Sequence, residues 1–227
     1  MDPFIKDCIG WDVSNWSAAL DFWNKHADLP VKPVKCLELG ANQGGLSLWL
    51  ANRGYHVVCS DIKDPKLSAQ ALHQKYRVSD RIEYQVVDAT NIPYTEHFDI
   101  VIFKSMLGGV GRNGRDDLQR KCIAEIHKCL KNEGKLLFAE NLSGTRMHRF
   151  FRNSFVKWSK SWNYLEYNKI GSLLKEYDHF YIRTAGYTGL LGSNEAFRSV
   201  LGTIDRHIFN KIIAKENRYI VFGVAEK

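Results

Sequence analysis

The 227-residue chain is 44% hydrophobic and 25% charged with five prolines, a composition that suits one soluble domain with a substantial core. Its longest apolar runs, such as "FDIVIF" and "RYIVFGVA", are far shorter than the roughly 20 residues of a membrane-spanning helix, and "MDPFIKDC" lacks the pattern of a secretory signal. We therefore expect a cytoplasmic protein whose five cysteines, which form no C-x-x-C pair, are reduced core thiols.

Secondary-structure signals begin near the N-terminus and continue as an alternation. Ser14 or Asn15 is predicted to cap a helix through "NWSAALDFWNKHA", which ends before Pro30 and Pro33. Strand-like runs then alternate with helical patterns: "VKCLEL", "HVVCSDI", "IEYQVVD", "FDIVIFK" and "GKLLFAE". This alternation predicts an α/β fold, doubly wound and Rossmann-like, with a mostly parallel seven-stranded sheet and helices on both faces.

The pattern changes after residue 142. An aromatic and basic stretch is followed by a strand "HFYIRTA", a capped helix from about Asn194 to Lys211 and a last strand "RYIVFGVA". In the capped helix, apolar residues recur at helical spacing and predict a packing face: Phe197, Val200, Leu201, Ile204, Ile208 and Ile212. The formal charge of +7 is concentrated here, because residues 143–169 hold six Lys or Arg and one Glu.

Glycines stand between the first strand and its helix, in "CLELGANQGG". Such a turn lets a ligand approach the backbone and the helix N-terminus, where free N–H groups favour anionic groups. Gly40 to Gly45 match part of the dinucleotide-binding fingerprint, with Asn42 in place of the middle glycine, and Asp61 follows 21 residues after Gly40. Taken alone, the pattern fits any nucleotide-like ligand.

Two further acids narrow the interpretation. Glu38 ends the first strand and Asp88 ends the third, so that with Asp61 a carboxylate closes three successive strands at the ligand-binding edge of an open α/β sheet. Over residues 34–140, the segments "LELGANQG", "CSDI", "VVDATNIP", "FDIVIFKSML" and "LKNEGKLLFAE" resemble the class I S-adenosylmethionine-dependent methyltransferases in order and spacing.

This resemblance implies a cofactor, S-adenosylmethionine, with S-adenosylhomocysteine as product, and a role for each matching residue. The turn under the methionine moiety would consist of Gly40, Ala41, Asn42 and Gly44, supported by Glu38. Asp61, followed by Ile62, would accept the ribose hydroxyls, while Asp88 and the Ala89 N–H would bind adenine. Lys104 and Ser105 would lie beside the methyl donor and the acceptor, and Trp11 would belong to a lid.

The resemblance also implies a division of one methyltransferase domain spanning 1–227. Residues 1–33 would form the N-terminal lid helix, 34–142 the cofactor-binding core, 143–213 an α-helical cap that binds the acceptor, and 214–227 the last strand. Within the lid, Trp16, Leu20 and Trp23 are expected to pack against the sheet.

Missing motifs restrict the chemistry. The fourth strand ends in "FKSML", which is neither the Asn/Asp-Pro-Pro-aromatic motif of amino-methylating DNA enzymes nor an acid that would hold Mg²⁺. No metal is therefore implied. His148 and His179 lie in the acceptor region, but a lone histidine is more often a core or surface residue, so the sequence names no catalytic base.

The segment "RMHRFFRNSFVKWSKSW", residues 146–162, predicts an amphipathic helix. On one side lie Met147, Phe151, Phe155, Trp158 and Trp162, with Phe150 at the margin, and on the other lie Arg149, Arg152, Lys157 and Lys160. Two interpretations remain open: a cap with a solvated basic face, or a peripheral contact with an anionic membrane. The second fits a fainter resemblance to methyltransferases of bacterial cell-surface glycan synthesis, which act on a sugar hydroxyl.

If the chain is a methyltransferase, we expect its acceptor to be a small molecule or a lipid-linked glycan, methylated at oxygen. Three other functions remain possible. A nicotinamide-dependent oxidoreductase would explain the glycines and Asp61 but not Glu38 or Asp88. An RNA methyltransferase or nucleic-acid binder would use the basic segment 143–169, although no separate RNA-binding module is expected and nucleic acid is not the expected partner. A non-catalytic relative would bind the cofactor only as a scaffold.

Overall fold

A seven-stranded sheet forms the centre of the computed structural model, which describes residues 2–156 and 159–227. The strands are β1 (Lys35–Leu39), β2 (His56–Asp61), β3 (Ile82–Val86), β4 (Phe98–Lys104), β5 (Leu130–Asn141), β6 (His179–Ala185) and β7 (Ile220–Glu226). Their order is β3-β2-β1-β4-β5-β7-β6. Neighbours pair in parallel from β3 to β5, whereas β7 runs antiparallel to both β5 and β6.

Helices cover both faces of this sheet, as the alternating sequence pattern predicts. They are α1 (Pro3–Ile9), α2 (Val13–Trp16), α3 (Ala18–His26), α4 (Gly45–Ala51), α5 (Lys66–Lys75), α6 (Leu107–Val110), α7 (Asp116–Cys129), α8 (Arg146–Phe155), α9 (Ile170–Leu173), α10 (Glu195–Ile204) and α11 (Asn210–Ile212). Within the described residues, no helix has the length and apolarity needed to cross a membrane. The doubly wound α/β prediction is confirmed, and all five cysteines are buried and free.

Two apolar cores lie on opposite faces of the sheet. One contains the fully buried rings of Trp16, Trp23 and Trp49, and the other contains Phe98 and Phe103. Because successive side chains of a strand point to opposite faces, the apolar run of β4 supplies both cores. Strand β1 pairs with β2 on one side and with β4 on the other. The strand order therefore reverses between β1 and β4, and their carboxyl ends flank the switch point of the sheet.

The N-terminal segment is divided into three helices, where the sequence predicts one. Helix α1 ends at Gly10, whose φ is +86°, and Asp12 adopts a left-handed conformation with φ of +45° before α2 begins. Helix α1 is held against α5, since Asp7 accepts hydrogen bonds from Lys75 at 2.5 Å and the Tyr76 hydroxyl at 2.9 Å. This arrangement brings residues 7–11 over the N-terminus of α4.

The helix predicted over residues 146–162 is wrong in length, and its orientation is only partly as predicted, since Met147 and Phe151 are half-buried and Arg149 is exposed. Helix α8 ends at Phe155, and Lys157 and Trp158 lie outside the described residues. The buried side of α8 carries His148 and Arg152. The Arg152 guanidinium donates a hydrogen bond to the carbonyl of Leu142 at 2.6 Å. Phe150 and Phe155 are instead 67% and 75% exposed. A buried polar pair has thus replaced part of the aromatic face, because the loop after β5 offers carbonyl groups that need donors.

Helix α10 begins as predicted but does not pack through its apolar face. The Asn194 side chain caps it by accepting from the N–H of Phe197 at 2.9 Å. Its buried side consists of Gly202, which lies against Ser14, and of Asp205 in the π-helical turn that follows. The predicted packing face is largely exposed: Phe197 46%, Val200 58%, Ile204 37%, Ile208 51% and Ile212 70%.

Candidate functional site

Two adjoining cavities lie at the carboxyl ends of β1, β2 and β4. The α1 cavity, about 360 Å³, is bounded by residues 7–11 of the N-terminal segment. The β2 cavity, about 630 Å³, is bounded by the ends of β2 and β3. Gly40, Asn42 and Ser105 line both cavities, so they form one continuous groove across the switch point of the sheet.

Nearly all of the sequence-predicted site residues line this groove. The α1 cavity contains Trp11, Glu38, Ala41 and Lys104, the β2 cavity contains Asp61, Ile62, Asp88 and Ala89, and both contain Gly40, Asn42 and Ser105. Gly44 is the exception, because it lies behind the turn and faces α5. The fold therefore brings together residues that are separated by up to 94 positions in the sequence.

The glycine turn depends on three left-handed backbone positions: Gly40 at φ +65°, Asn42 at +50° and Gly44 at +72°. Asparagine tolerates this conformation better than most residues, which explains how the turn forms without a middle glycine. A Cβ at Gly44 would lie 2.6 Å from the ring of His73. The two ring nitrogens of His73 form hydrogen bonds, Nε2 with the Gly44 carbonyl and Nδ1 with the Tyr84 hydroxyl, each at 2.8 Å. These bonds fix the turn from the side of α5.

Glu38 joins β1 to the N-terminus of α4. Its buried carboxylate accepts from the N–H groups of Leu46 at 3.3 Å and Ser47 at 2.7 Å, and from the Ser47 hydroxyl at 2.5 Å. Free N–H groups at a helix N-terminus favour a negative charge, yet burial raises the pKa of Glu38 to about 7 against these hydrogen bonds. Glu38 therefore shapes the turn and places a carboxyl group that titrates near neutral pH in the cavity wall.

Asp61 and Asp88 both line the β2 cavity. Asp61 accepts from the N–H of Asn42 at 3.0 Å and of Ile62 at 2.7 Å, which ties the end of β2 to the glycine turn. One oxygen of Asp88 accepts from the N–H and the hydroxyl of Thr90, each at 2.8 Å, and forms a tight turn. The other oxygen of Asp88 takes no part in these bonds.

Lys104 ends β4 between two tryptophan rings. Its Nζ lies 4.8 Å from the centroid of Trp16 and 5.6 Å from that of Trp11. Loss of hydration lowers the pKa of Lys104 to about 8, although the carboxylates of Glu140, Asp12 and Glu38 act in the opposite direction. Half-covered Trp11 lines the α1 cavity, whereas Trp16 and Trp23 are fully buried.

A buried polar network behind Lys104 escaped the sequence analysis. The Tyr219 hydroxyl donates to Asp12 at 2.5 Å, and the Asn15 amide donates to Tyr219 at 2.9 Å and to Asp205 at 3.2 Å. Burial raises the pKa of Asp12 to about 7. These residues are up to 207 positions apart, and they meet where the turn after α10 and the residue before β7 pack against the N-terminal helices.

The end of β5 supplies a further acid that the sequence analysis did not select. Glu140 is buried and accepts from the N–H of Leu107 at 2.6 Å, while Asn141 donates from its amide to the Ser105 hydroxyl at 2.6 Å. Ser105 itself has φ of +52°, a strained conformation that these bonds hold in place. The available signal was an acid near the end of another parallel strand, β5, as at the ends of β1, β2 and β3.

Trp162 and Met106 are two cavity residues that sequence reasoning also missed. Met106 lies against the glycine turn, because a Cβ on Gly40 would come within 2.5 Å of its Cγ. The Trp162 ring covers Gly108 and Gly109, where any side chain would collide with it. The adjacent glycines after β4 were the available signal, since they permit close approach of a large ring.

Neither histidine of the acceptor region is available as a base in this groove. His148 is buried, with Nδ1 accepting from the Thr145 N–H at 3.1 Å and Nε2 lying 2.7 Å from the Tyr187 carbonyl. Burial lowers the pKa of His148, although its hydrogen bond to the Tyr187 carbonyl acts in the opposite direction. His179 is exposed at the start of edge strand β6. Across residues 2–156 and 159–227, no cluster of three His, Cys, Asp or Glu side chains is arranged to hold a metal.

These donor and acceptor groups fit a nucleoside that carries an amino acid. Carboxylates at the ends of β2 and β3 would accept from hydroxyl and amino groups in the β2 cavity. The α1 cavity combines backbone of the turn with Glu38, which suits a charged amino-acid end. The nicotinamide-dinucleotide interpretation assigns no ligand contact to Asp88 or Glu38.

Comparisons with known proteins agree with this geometry. A family model described as a methyltransferase domain matches residues 37–138. The solved structure of the MccD protein superposes with a TM-score of 0.61 at 16% identity, covering 92% of this chain and 96% of that chain. No curated protein matches the chain.

Two other solved structures contain ligands. Phosphoethanolamine N-methyltransferase 2 of Haemonchus contortus with S-adenosylmethionine superposes at TM-score 0.64 and 16% identity, over 93% of this chain and 52% of that chain. This chain thus spans about half of that enzyme. Geranyl diphosphate C-methyltransferase of Streptomyces coelicolor with Mg²⁺, geranyl diphosphate and S-adenosylhomocysteine superposes at 0.65 and 11% identity, over 93% and 79%. The family match, the strand order and the groove agree in placing a methyltransferase domain over residues 37–138, in a fold similar to that of S-adenosylmethionine-dependent methyltransferases.

Proposed function

We propose that this methyltransferase transfers the methyl group to an oxygen of a polar acceptor, either a small molecule or a lipid-linked glycan. The single observation that supports the cofactor site is the continuous groove in which Asp61, Asp88 and the glycine turn converge. S-adenosylmethionine supplies an electrophilic methyl group, so the protein mainly has to align the acceptor and exclude water.

Each wall of the groove has a separate task in this proposal. Asp61 accepts the ribose hydroxyls and Asp88 accepts the adenine amino group, next to the Ala89 N–H. Glu38 and the turn at Asn42 hold the amino-acid end. Trp11 and helix α1 cover the α1 cavity and keep water away from the reacting atoms.

Acceptor specificity is assigned to residues 143–213, as the sequence analysis expects. In support, Trp162 from this segment lines the β2 cavity, and Asp205 anchors the loop at Tyr187 and Thr188 by accepting from their N–H groups at 3.0 and 2.8 Å. Exchanging loop residues 187–192 should therefore alter the acceptor while cofactor affinity stays within a few-fold. A large loss of cofactor affinity in a folded variant would contradict this division.

The test of the reaction is a methyl-transfer screen with isotopically labelled S-adenosylmethionine. Acceptors are free sugars, lipid-linked sugars and small phenols, and the label is located by mass spectrometry. We expect label on an oxygen of one of these classes. Label found only on nitrogen or carbon would contradict the oxygen assignment while leaving the methyltransferase activity intact.

A second proposal is a peripheral contact with an anionic membrane that presents a lipid-linked acceptor. In support, Phe150 and Phe155 are exposed beside exposed Arg146 and Arg149 on α8. The apolar side of α10 and α11 is also exposed, with Lys211 next to Ile208 and Ile212. Exposed aromatic and aliphatic side chains with basic neighbours are typical of helices that lie in a membrane interface.

Vesicle co-sedimentation tests the membrane contact at two salt concentrations. We expect binding to anionic vesicles, weaker at high salt, and little binding to neutral vesicles. The Phe150→Ser and Ile212→Ser changes should reduce it, whereas Leu67→Ser, at a residue 90% exposed on α5, serves as the matched control. No sedimentation with anionic vesicles, together with efficient turnover of a soluble acceptor, would refute the contact.

The basic segment 143–169 gives limited support to the RNA alternative. Arg152 is buried in hydrogen bonds to main-chain carbonyls, and Lys169 lies 3.4 Å from Glu166 and 3.6 Å from Asp116. These two cations are therefore not free to bind phosphates, and the remaining basic residues are better explained by the membrane proposal.

A further inference from the structure

Lys104 is a cation in the groove without a countercharge in contact. The ion pairs formed within residues 2–156 and 159–227 do not include it. Its Nζ instead lies near the Trp16 and Trp11 rings, at 4.8 and 5.6 Å from their centroids. The side chain lines the α1 cavity together with Glu38, Gly40 and Ser105. Lys104 therefore borders the α1 cavity beside Ser105, which lines both parts of the groove.

We propose that Lys104 is the proton acceptor of the methyl transfer, and that the fixed positive charge of the bound methyl donor keeps its amino group uncharged until the transfer takes place. This inference rests on the proposed function, since it requires S-adenosylmethionine in the groove. It assigns the base that the sequence does not name and that His148 and His179 do not provide.

The surroundings of Lys104 have opposing effects on its pKa. Loss of hydration lowers its pKa to about 8, whereas Asp12 from the α1–α2 connection, Glu38 from β1 and Glu140 from β5 raise it. The faces of Trp11 and Trp16 also favour the ammonium form. A further positive charge in the same cavity disfavours the ammonium, and a neutral ligand does not.

The proton balance follows from this. A lone pair of the acceptor oxygen forms the new O–CH₃ bond as the S–CH₃ bond breaks, and the electron pair of that bond stays on sulfur. The hydroxyl proton moves to the lone pair of Lys104 Nζ. Because the cofactor product is uncharged at sulfur, the ammonium is no longer repelled. The proton then passes to solvent when the products leave.

Calorimetry in two buffers of different ionisation enthalpy measures the protons released on binding, without any acceptor. At pH 7.5 we expect wild-type protein to release roughly half a proton more with S-adenosylmethionine than with S-adenosylhomocysteine. Asp12 and Glu38, with pKa values of about 7, also respond to a bound cation, so the Lys104→Met variant is needed to isolate the lysine. That variant should lose most of the difference, whereas Lys121→Met, at an exposed position on α7, should retain it.

The ratio of the two affinities provides a second readout between pH 7.5 and 9.5. In wild-type protein the preference for S-adenosylmethionine should rise about three- to fourfold as Lys104, whose pKa is about 8, loses its proton, and in Lys104→Met it should stay flat. Lys104→Arg, which keeps the charge, should bind S-adenosylmethionine weakly at every pH. Both variants should bind S-adenosylhomocysteine normally, which shows that they fold, and should lose turnover at least about 100-fold.

Two results would overturn the assignment. One is equal proton release by the two ligands in wild-type protein, and the other is a Lys104→Met variant that keeps the pH-dependent preference. If neither ligand binds wild-type protein, the proposed function fails instead, so the two failures are distinguishable.

Discussion

The Asp61 carboxylate at the end of β2 accepts a hydrogen bond from the backbone N–H of Asn42, 3.0 Å away in the glycine turn. The residue proposed to bind the ribose therefore also holds the left-handed turn proposed to lie under the methionine moiety. We therefore expect binding of the two halves of the cofactor to be coupled through this bond, because displacing either residue would disturb the other.

The Asp61→Ala variant is expected to bind S-adenosylmethionine about 1 to 3 kcal/mol more weakly, the usual effect of losing a charged acceptor. Asp61→Asn, which keeps one acceptor oxygen, should lose less. Asp80→Ala alters an exposed acid at the opposite edge of the sheet and should bind like wild type. Titration calorimetry compares the three variants, and equal affinity of Asp61→Ala and wild type would contradict the assignment.

A Gly44→Ala change should destabilise the protein by about 2 to 4 kcal/mol. The new Cβ adds the strain of a left-handed alanine to a collision with His73, 2.6 Å away, and with Ala69, 2.7 Å away. Gly54→Ala is the control, since Gly54 has φ of +86° but nothing within 4 Å, and should lose only about 1 to 2 kcal/mol. Urea unfolding measures both, and equal losses would show that contact with α5 is unimportant.

His148 predicts a pH dependence of stability. Burial lowers its folded-state pKa below the unfolded value of 6.5, so the unfolded chain binds the proton first and stability is lost as the pH falls below about 6.5. His148→Gln should be less stable at pH 7 by about 1 to 3 kcal/mol, because a buried hydrogen bond to Tyr187 is lost. Its loss of stability between pH 7 and 5 should be smaller than that of wild type. An unchanged slope would contradict the buried, neutral His148.

Two isoleucines test whether the apolar face of α10 and α11 is exposed in solution. Ile212 is 70% exposed and Ile170 is 1% exposed. We expect Ile212→Ser to change the free energy of unfolding by less than about 0.5 kcal/mol, and Ile170→Ser to lower it by about 2 to 5 kcal/mol. Similar large losses in both would show that a partner or another part of the chain covers this face.

The central sheet and its ligand edge were predictable because their signals are local. Strand β4 reads as a buried strand from "FDIVIFK" alone, and Glu38, Asp61 and Asp88 each follow such a strand directly. Parallel strands place their carboxyl ends at one edge, so the sequence order suffices to group these acids.

The buried network could not be predicted, because its contacts are not local. Asp12 and Tyr219 meet where the N-terminal helices pack against the start of β7, and nothing in the sequence near either residue indicates the other. The orientation of α8 was only partly as predicted for a related reason. Helical spacing placed the aromatic rings inward, but the Leu142 carbonyl needs a donor, and Arg152 provides it.

Titration of the wild-type protein with S-adenosylmethionine by calorimetry tests the central claim most directly, with NADH titrated in parallel. We expect one S-adenosylmethionine to bind per chain, with no binding of NADH, and the S-adenosylmethionine affinity to fall in Asp61→Ala but not in Asp80→Ala. Absence of heat with millimolar S-adenosylmethionine, or binding of NADH in its place, would contradict the assignment of the groove.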